Sequence, residues 1–155
     1  YVVRDLLREP VERGTAAGLR RYLPARVPAA GKTGTTSDNV DVWFVGMTPD
    51  VVAGVWLGFD APKTITSGAA GGTLAAPVWG QMLARWYQGR PVGDAWNAPP
   101  PPGVVAAELD RQTGLPADSL TPPARRYTEY FLDGTQPGAR PFDPLTIFRA
   151  GAVGP

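Results

Sequence analysis

The sequence predicts an α+β fold in which an antiparallel sheet carries helices on its faces. Three β-prone segments, at 29–36, 41–47 and 51–59, are separated by two short turn signals, Ser37-Asp38-Asn39 and Thr48-Pro49-Asp50. A helical pattern precedes these segments and a second one follows them. Three strands joined by two short turns indicate an antiparallel meander.

The first helix is predicted over residues 1–13, where apolar side chains recur with a period close to 3.6. Pro10 falls inside this pattern and cannot donate a helical hydrogen bond, so it should kink or end the helix. Residues 16–28 contain three arginines and two prolines, and this composition predicts a connection to the first strand.

The second helix is predicted over residues 74–88, and Pro77 is tolerated because it falls in the first turn. Its apolar stripe includes Trp79, Met82 and Trp86, which we expect to pack on the sheet. The last two strands contain few polar residues, a pattern typical of strands buried on both faces. We therefore expect the aromatic residues of these strands and of this helix to lie in the core: Trp43, Phe44, Trp56 and Trp79.

Proline usage divides the chain into two parts. Twelve of the 18 prolines lie between Pro91 and Pro155. The predicted organisation is an ordered part at 1–90 and a loosely structured, Pro/Gly-rich C-terminal extension at 91–155, with one short strand at 104–109. The chain begins at Tyr1 and runs directly into helical sequence, so we expect it to be a piece of a longer protein.

The composition excludes several kinds of chemistry. The 155 residues include no Cys and no His, which leaves no thiol nucleophile, no His general base and none of the usual zinc ligands apart from carboxylates. We therefore expect no metal and no cofactor. The net charge is only +1 and no Lys/Arg run exceeds two residues, so nucleic acid is not an expected partner. No apolar stretch reaches 18 residues.

The most specific motif is Gly31-Lys32-Thr33-Gly34-Thr35-Thr36. A phosphate-binding loop of the Walker type would need Gly at position 26, where this chain has Arg26, and it would open a helix rather than strands. The alternative is a Lys-Thr-Gly strand of the kind that faces the nucleophile in penicillin-recognising serine enzymes. There an ammonium and a hydroxyl would bind a substrate carboxylate, and the glycine would let the substrate lie against the strand.

The residues that follow make the second interpretation specific. The run GKTGTTSDNVDVWFVGMTPDVVAGVWLGFD closely resembles the class A penicillin-binding proteins, the bifunctional peptidoglycan synthases. Glu12-x-Gly14-Thr15 upstream, Ala76-Pro77-Val78-Trp79 and Gly134-Thr135-Gln136-Pro137 downstream also fit this family. The resemblance is specific over residues 1–90. It implies an incomplete penicillin-binding/β-lactamase-like transpeptidase fold, with 1–90 as the C-terminal part of the transpeptidase domain.

The resemblance implies a role for each residue of the motif. Lys32 would supply positive charge and hydrogen bonding in catalysis. The hydroxyls of Thr33 and Thr35 would bind a terminal carboxylate, and the Thr35 N–H would form half of an oxyanion hole. Gly34 and Thr36 would complete the substrate-binding strand.

Three parts of the family pattern are missing. None of the three serines, Ser37, Ser67 and Ser119, has a lysine three residues later, so the family's Ser-x-x-Lys nucleophile motif is absent from this chain. Ser37-Asp38-Asn39 matches the family's Ser-x-Asn motif in letters only, because it falls in the turn after the triplet strand. The glycosyltransferase signature is also absent. We therefore expect the chain alone to be inactive and its parent to be the enzyme.

Two hypotheses follow. In the first, the parent is a serine-type D,D-transpeptidase that cross-links peptidoglycan stem peptides ending in D-Ala-D-Ala and binds β-lactam antibiotics. Its other partner would be the rest of the parent chain, and it would be anchored in the bacterial cytoplasmic membrane with this part outside the cytoplasm. In the second, the chain is a non-catalytic, sheet-based binding or structural module.

Overall fold

The computed structural model describes residues 1–138 and divides the chain into two compact units. One unit is Val3–Pro99, and the other combines Tyr1–Val2 with the described residues from Pro100 onward. Residues 139–155, the end of the predicted extension, lie outside the described residues. Two antiparallel sheets and a few helices make up these units, which confirms the predicted α+β class.

The predicted N-terminal helix is two short helices, α1 (Val2–Leu6) and α2 (Glu9–Glu12). The break confirms the effect expected of Pro10, which lies in the first turn of α2, where its missing N–H costs no helical hydrogen bond. The connection that follows is more regular than predicted, because it contains a 3₁₀ helix at Ala17–Arg21. This connection also supplies buried core side chains, which are Leu19, Leu23 and Val27.

The three predicted strands form one antiparallel meander of β1 (Ala30–Thr35), β2 (Val42–Met47) and β3 (Val52–Leu57), in the order β1-β2-β3. The register pairs Thr33 with Phe44 and Gly34 with Trp43. Cross-strand partners lie on the same face of a sheet, so this register decides which side chains share each face.

One face of this sheet is covered by α3 (Ala76–Trp86), which continues a π-helical turn at Gly71–Ala75. The rings of Phe44 and Trp79 meet edge to face with centroids 5.2 Å apart. The Trp79 indole N–H donates to the backbone oxygen of Ala53 at 3.0 Å. Both aromatic rings are fully buried, as the sequence predicted.

The opposite face of the sheet is exposed, so the prediction that β2 and β3 are buried on both faces is wrong. Trp43 and Trp56 were expected in the core, but they are 45% and 43% exposed. Strand side chains alternate between faces, and these two tryptophans lie on the side away from Phe44. Within residues 1–138 this second face is apolar but uncovered, a difference that composition cannot reveal.

The outer side of α3 is exposed as well. Met82 and Trp86 were expected to pack on the sheet, but they are 42% and 43% exposed, and only Trp79 of the three is buried. Only part of a helix surface can face a sheet. The apolar surface of α3 is wider than the part that the sheet covers, so Met82 and Trp86 remain exposed. None of the described helices has both the length and the apolarity needed to span a membrane.

The second unit contains a hairpin of β4 (Val104–Asp110) and β5 (Arg126–Leu132). The loosely structured extension was expected to hold one short strand, whereas its described part holds two. Three of the prolines that argued against regular structure, Pro116, Pro122 and Pro123, lie in the connecting loop at 111–125, where a ladder needs no donors. An ion pair between Asp110 and Arg125 closes this loop. The assignment of residues 1–90 and 91–155 to separate domains stays a prediction, since compactness does not decide which residues serve which domain.

Candidate active site

The Lys-Thr-Gly triplet lies on β1, which is an edge strand. On one side β1 pairs with β2, and the Thr36 N–H continues this direction by donating to the Asp41 oxygen at 3.0 Å. On the other side the Gly31 N–H donates to the Leu7 oxygen at 2.8 Å. Successive N–H groups of a strand point to opposite sides. The N–H groups of Thr33 and Thr35 therefore point away from β2, toward the outer edge.

This outer edge is open beyond Gly31. Within residues 1–138, no hydrogen bond reaches the N–H group of Thr33 or Thr35. An extended peptide can pair with such an edge as an added strand, and its affinity then comes from main-chain hydrogen bonds. Gly34 lies between these two threonines, where an added Cβ would come within 3.3 Å of the Trp43 Cβ.

The strand places the side chains of the motif on two faces. Lys32 and Gly34 share the exposed face with Trp43, whereas Thr33 and Thr35 point to the opposite face. The structure therefore brings the two hydroxyls together on one side of the edge and leaves the ammonium on the other. A ligand bound along the edge itself lies between the two groups.

The hydroxyls of Thr33 and Thr35 are each held by a partner from another part of the chain. Thr33 Oγ1 lies 2.8 Å from Thr15 Oγ1. The Gly71 N–H donates to Thr35 Oγ1 at 3.0 Å. Gly71 approaches so closely that an added Cβ would lie 2.2 Å from the Trp43 oxygen, which only a glycine avoids.

Lys32 is exposed, and its Nζ donates to the Thr33 backbone oxygen at 3.1 Å. It borders a concavity of about 420 Å³ between the N-terminal helices and β1. Arg13, in the same concavity, donates to Glu9 at 2.7 and 3.2 Å, and this hydrogen bonding raises the pKa of Arg13. Two cations and one carboxylate give this end of the edge a positive balance that suits an anionic ligand. The concavity is lined by Leu6, Glu9, Pro10, Arg13, Gly14, Thr15 and Lys32.

Thr36 stabilises the turn between β1 and β2. The Thr36 hydroxyl accepts from the Asp41 N–H at 2.9 Å, and the Asp41 carboxylate accepts from the Trp56 indole N–H at 2.8 Å. Ser37–Asn39 form a 3₁₀ turn in which Asp38 and Asn39 have positive φ. The turn that the sequence predicted at this place is thus confirmed, and Thr36 anchors it.

Sequence reasoning missed Thr15 and Gly71 as partners of the triplet. They lie 18 and 36 residues from the threonines they contact, and no local pattern connects residues at such distances. In the sequence, Gly14 and Thr15 are recognisable only as part of the Glu12-x-Gly14-Thr15 pattern of the family. A conserved hydroxyl-bearing residue at position 15 in an alignment is the signal that could have found it.

Comparison with known proteins gives a consistent result. Residues 100–139 match a family profile described as "Penicillin-binding protein 1A, C-terminal domain". The chain is 36% identical over 153 residues to penicillin-binding protein 1A of Pseudomonas aeruginosa, covering 94% of this chain and 18% of that protein. It is 44% identical over 106 residues to the Neisseria lactamica protein of the same name, covering 68% and 13%.

A solved structure agrees with these relatives. The crystal structure of penicillin-binding protein 1A from Haemophilus influenzae matches with a TM-score of 0.72 and 25% identity, over 87% of this chain and 20% of that one. The chain belongs to the class A penicillin-binding protein family. It matches a C-terminal part of these peptidoglycan-synthesis enzymes and spans less than a fifth of the length of the curated relatives named above.

Membership of the class A penicillin-binding proteins confirms the family resemblance predicted from the Lys32 motif. The C-terminal hairpin lies within residues 100–139, the segment that matches the family profile. The roles of Lys32, Thr33, Gly34, Thr35 and Thr36 in this penicillin-binding protein stay predictions.

Proposed function

We propose that the chain forms one wall of the active-site cleft of a serine D,D-transpeptidase that cross-links peptidoglycan stem peptides. The observation that carries this proposal is the open outer edge of β1, where the N–H groups of Thr33 and Thr35 lie next to Lys32. The relatives are named for penicillin binding, which supports a site of this kind.

In this proposal a stem peptide ending in D-Ala-D-Ala adds to β1 as an extended strand. Its terminal carboxylate accepts hydrogen bonds from the hydroxyls of Thr33 and Thr35, and Lys32 supplies positive charge. The Thr35 N–H, which is not used by the sheet, donates to the carbonyl oxygen under attack and stabilises its developing negative charge.

The nucleophile would come from a Ser-x-x-Lys motif outside this chain. The serine oxygen attacks the carbonyl carbon of the penultimate D-Ala, the peptide bond breaks, and the terminal D-Ala leaves with the proton from the serine. An amine of a second stem peptide then attacks the ester, forms the cross-link and releases the serine. A β-lactam would react in the first step and remain attached.

The other parts of the proposal concern the whole protein. The parent would be anchored in the bacterial cytoplasmic membrane, with this part outside the cytoplasm, as its family membership supports. Its glycosyltransferase chemistry would reside elsewhere in the parent chain.

The deciding experiment removes the Thr35 N–H in the full-length protein. Thr35→Pro deletes this donor without removing a hydrogen bond to β2, because the N–H points to the outer edge. Thr35→Val, which keeps the N–H, is the matched control. We expect Thr35→Pro to acylate with benzylpenicillin about 10² to 10³-fold more slowly than Thr35→Val.

Two results would count against the proposal. Wild-type protein that forms no covalent penicillin adduct would favour the non-catalytic module. Equal rates for the proline and valine variants would show that the β1 edge does not stabilise the oxyanion. Circular dichroism of both variants checks that the sheet is intact.

A further inference from the structure

We propose that Thr15 is a positioning residue that donates its hydroxyl proton to Thr33, which leaves the Thr33 proton for a ligand and thereby favours ligands with a free carboxylate. This inference rests on the proposed function, because it concerns the same edge of β1. The two hydroxyl oxygens lie 2.8 Å apart, a normal distance between hydroxyl groups that share a hydrogen bond. Either hydroxyl can be the donor, and we assign the proton of this hydrogen bond to Thr15.

Thr15 is held in place by its backbone. Hydrogen bonds from Gly14 to the Glu9 oxygen at 3.0 Å and from Ala16 to the Pro10 oxygen at 2.9 Å fix the residues on either side. Ala16 is fully buried. The Thr15 carbonyl oxygen occupies the place of a side chain at Gly72, where an added Cβ would be 1.9 Å away. The Thr15 hydroxyl therefore meets Thr33 from a fixed position.

Thr35 shows which direction of hydrogen bonding leaves a hydroxyl proton for a ligand. Thr35 Oγ1 accepts from the Gly71 N–H, and a backbone N–H can only donate. The single hydroxyl proton of Thr35 is thus left to donate elsewhere. If Thr15 donates to Thr33, then Thr33 has the same arrangement, and both hydroxyls accept from the protein and donate outward.

The opposite direction would not suit an anionic ligand. If Thr33 donated to Thr15, only oxygen lone pairs of Thr33 would face a carboxylate, and two acceptors would meet. A carboxylate accepts hydrogen bonds and cannot donate them, and bonds to charged groups are stronger than neutral ones. Thr15 therefore favours a carboxylate-terminated peptide or β-lactam over the corresponding neutral ester.

The experiment compares two ligands in the full-length protein, benzylpenicillin and its methyl ester, by their second-order rate constants of acylation. Thr15→Val keeps the shape of the side chain and removes the hydroxyl, whereas Thr15→Ser keeps the hydroxyl. We expect Thr15→Val to slow the reaction with the acid about tenfold and the reaction with the ester less than twofold. Thr15→Ser should stay within twofold of wild type for both ligands.

A double-mutant cycle with Thr33→Val tests whether Thr15 acts through Thr33. In the Thr33→Val background, Thr15→Val should cause no further loss with the acid. Equal losses with acid and ester, or a full loss in the Thr33→Val background, would assign Thr15 a structural role and overturn the inference. If Thr15→Val does not fold, Thr15→Ala takes its place in the cycle. Wild-type protein that reacts with neither ligand would refute the proposed function itself. If the wild type reacts and Thr15→Val leaves the ratio of the acid and ester rate constants unchanged, only this inference is refuted.

Discussion

The phenol of Tyr87 donates a hydrogen bond to Asp50 Oδ2 at 2.8 Å, and this contact connects the C-terminal end of α3 with the turn between β2 and β3. Thr48 Oγ1 lies 2.6 Å from the same phenol oxygen, and the Gly93 N–H donates to Asp50 Oδ2 at 3.0 Å. Tyr87 and Thr48 are both buried. The turn, the helix and the segment at Gly93 are therefore held by one polar cluster.

Tyr87→Phe should destabilise the unit Val3–Pro99, which contains the sheet of β1, β2 and β3. It leaves Thr48 and the Asp50 carboxylate without the phenol, and losing one hydrogen bond to a charged group costs about 1.5–3 kcal/mol. The measurement is the change in the melting temperature of the full-length protein. Tyr22→Phe is the matched control, because Tyr22 is 44% exposed and its variant should melt as wild type does. Equal melting of both variants would contradict the role of this cluster.

The same cluster predicts a dependence of stability on pH. The Gly93 N–H, and after it the Tyr87 hydroxyl, lower the pKa of Asp50 in the folded state. A lowered folded-state pKa stabilises the fold above the unfolded value of about 3.9, and this contribution is lost as pH falls through the folded pKa. In urea titrations, Asp50→Asn should narrow the difference in unfolding free energy between pH 6 and pH 3. An unchanged difference would show that Asp50 does not contribute to the acid sensitivity.

The strands and turns could be predicted because their signals are local. Val, Trp and Phe favour strands, and Thr48-Pro49-Asp50 marks a turn within a few residues. The exposure of Trp43 and Trp56 could not be predicted in this way, because it depends on what covers the second face of the sheet. Strand β5 was missed because the prolines around it outweighed its aromatic residues.

The candidate site also contains residues that local sequence signals predict and residues that they do not. Lys32 to Thr35 could be found from their motif and their strand context. The partners Thr15 and Gly71 could not, because the folded chain brings them to β1 from 18 and 36 residues away. Lys32 lies on the opposite face from the two hydroxyls because side chains alternate along a strand. This separation can be predicted once β1 is known to be the edge strand.

The exposed face of the sheet predicts association when residues 1–155 are expressed alone. Val45 is 48% and Val52 is 72% exposed beside the two tryptophans, and β3 is an edge strand. Apolar patches and open edges of this kind promote aggregation. Size-exclusion chromatography with light scattering should show oligomers or insoluble protein.

Charges on this face should reduce the association. The double variant Val45→Lys and Val52→Lys should move the protein toward a monomer, whereas Leu120→Lys, at a site that is 86% exposed in the other unit, should not. A wild-type chain that is monomeric and melts in one sharp transition would contradict the prediction and favour an independent module.

The chain alone should form no covalent adduct with a β-lactam, because no serine in it has the lysine partner of the family's nucleophile motif. Intact-mass measurement after incubation with excess benzylpenicillin checks this. The full-length protein, treated identically, is the positive control. One stable penicillin per chain of residues 1–155 would refute the prediction and point to a nucleophile among Ser37, Ser67 and Ser119.

In the full-length protein, Lys32→Ala should slow acylation by benzylpenicillin about 10² to 10³-fold, the usual cost of removing one group that stabilises charge in a transition state. Folding should be largely unaffected, since the Lys32 side chain is exposed and its one hydrogen bond within residues 1–138 goes to the Thr33 oxygen at 3.1 Å. Lys63→Ala is the matched control. Lys63 is the other lysine of the chain, and its Nζ lies 5.3 Å from the ring centroid of Phe59, in the loop after β3. Acylation of Lys32→Ala within twofold of wild type, or an equal loss in Lys63→Ala, would show that the charge at position 32 has no specific part in the reaction.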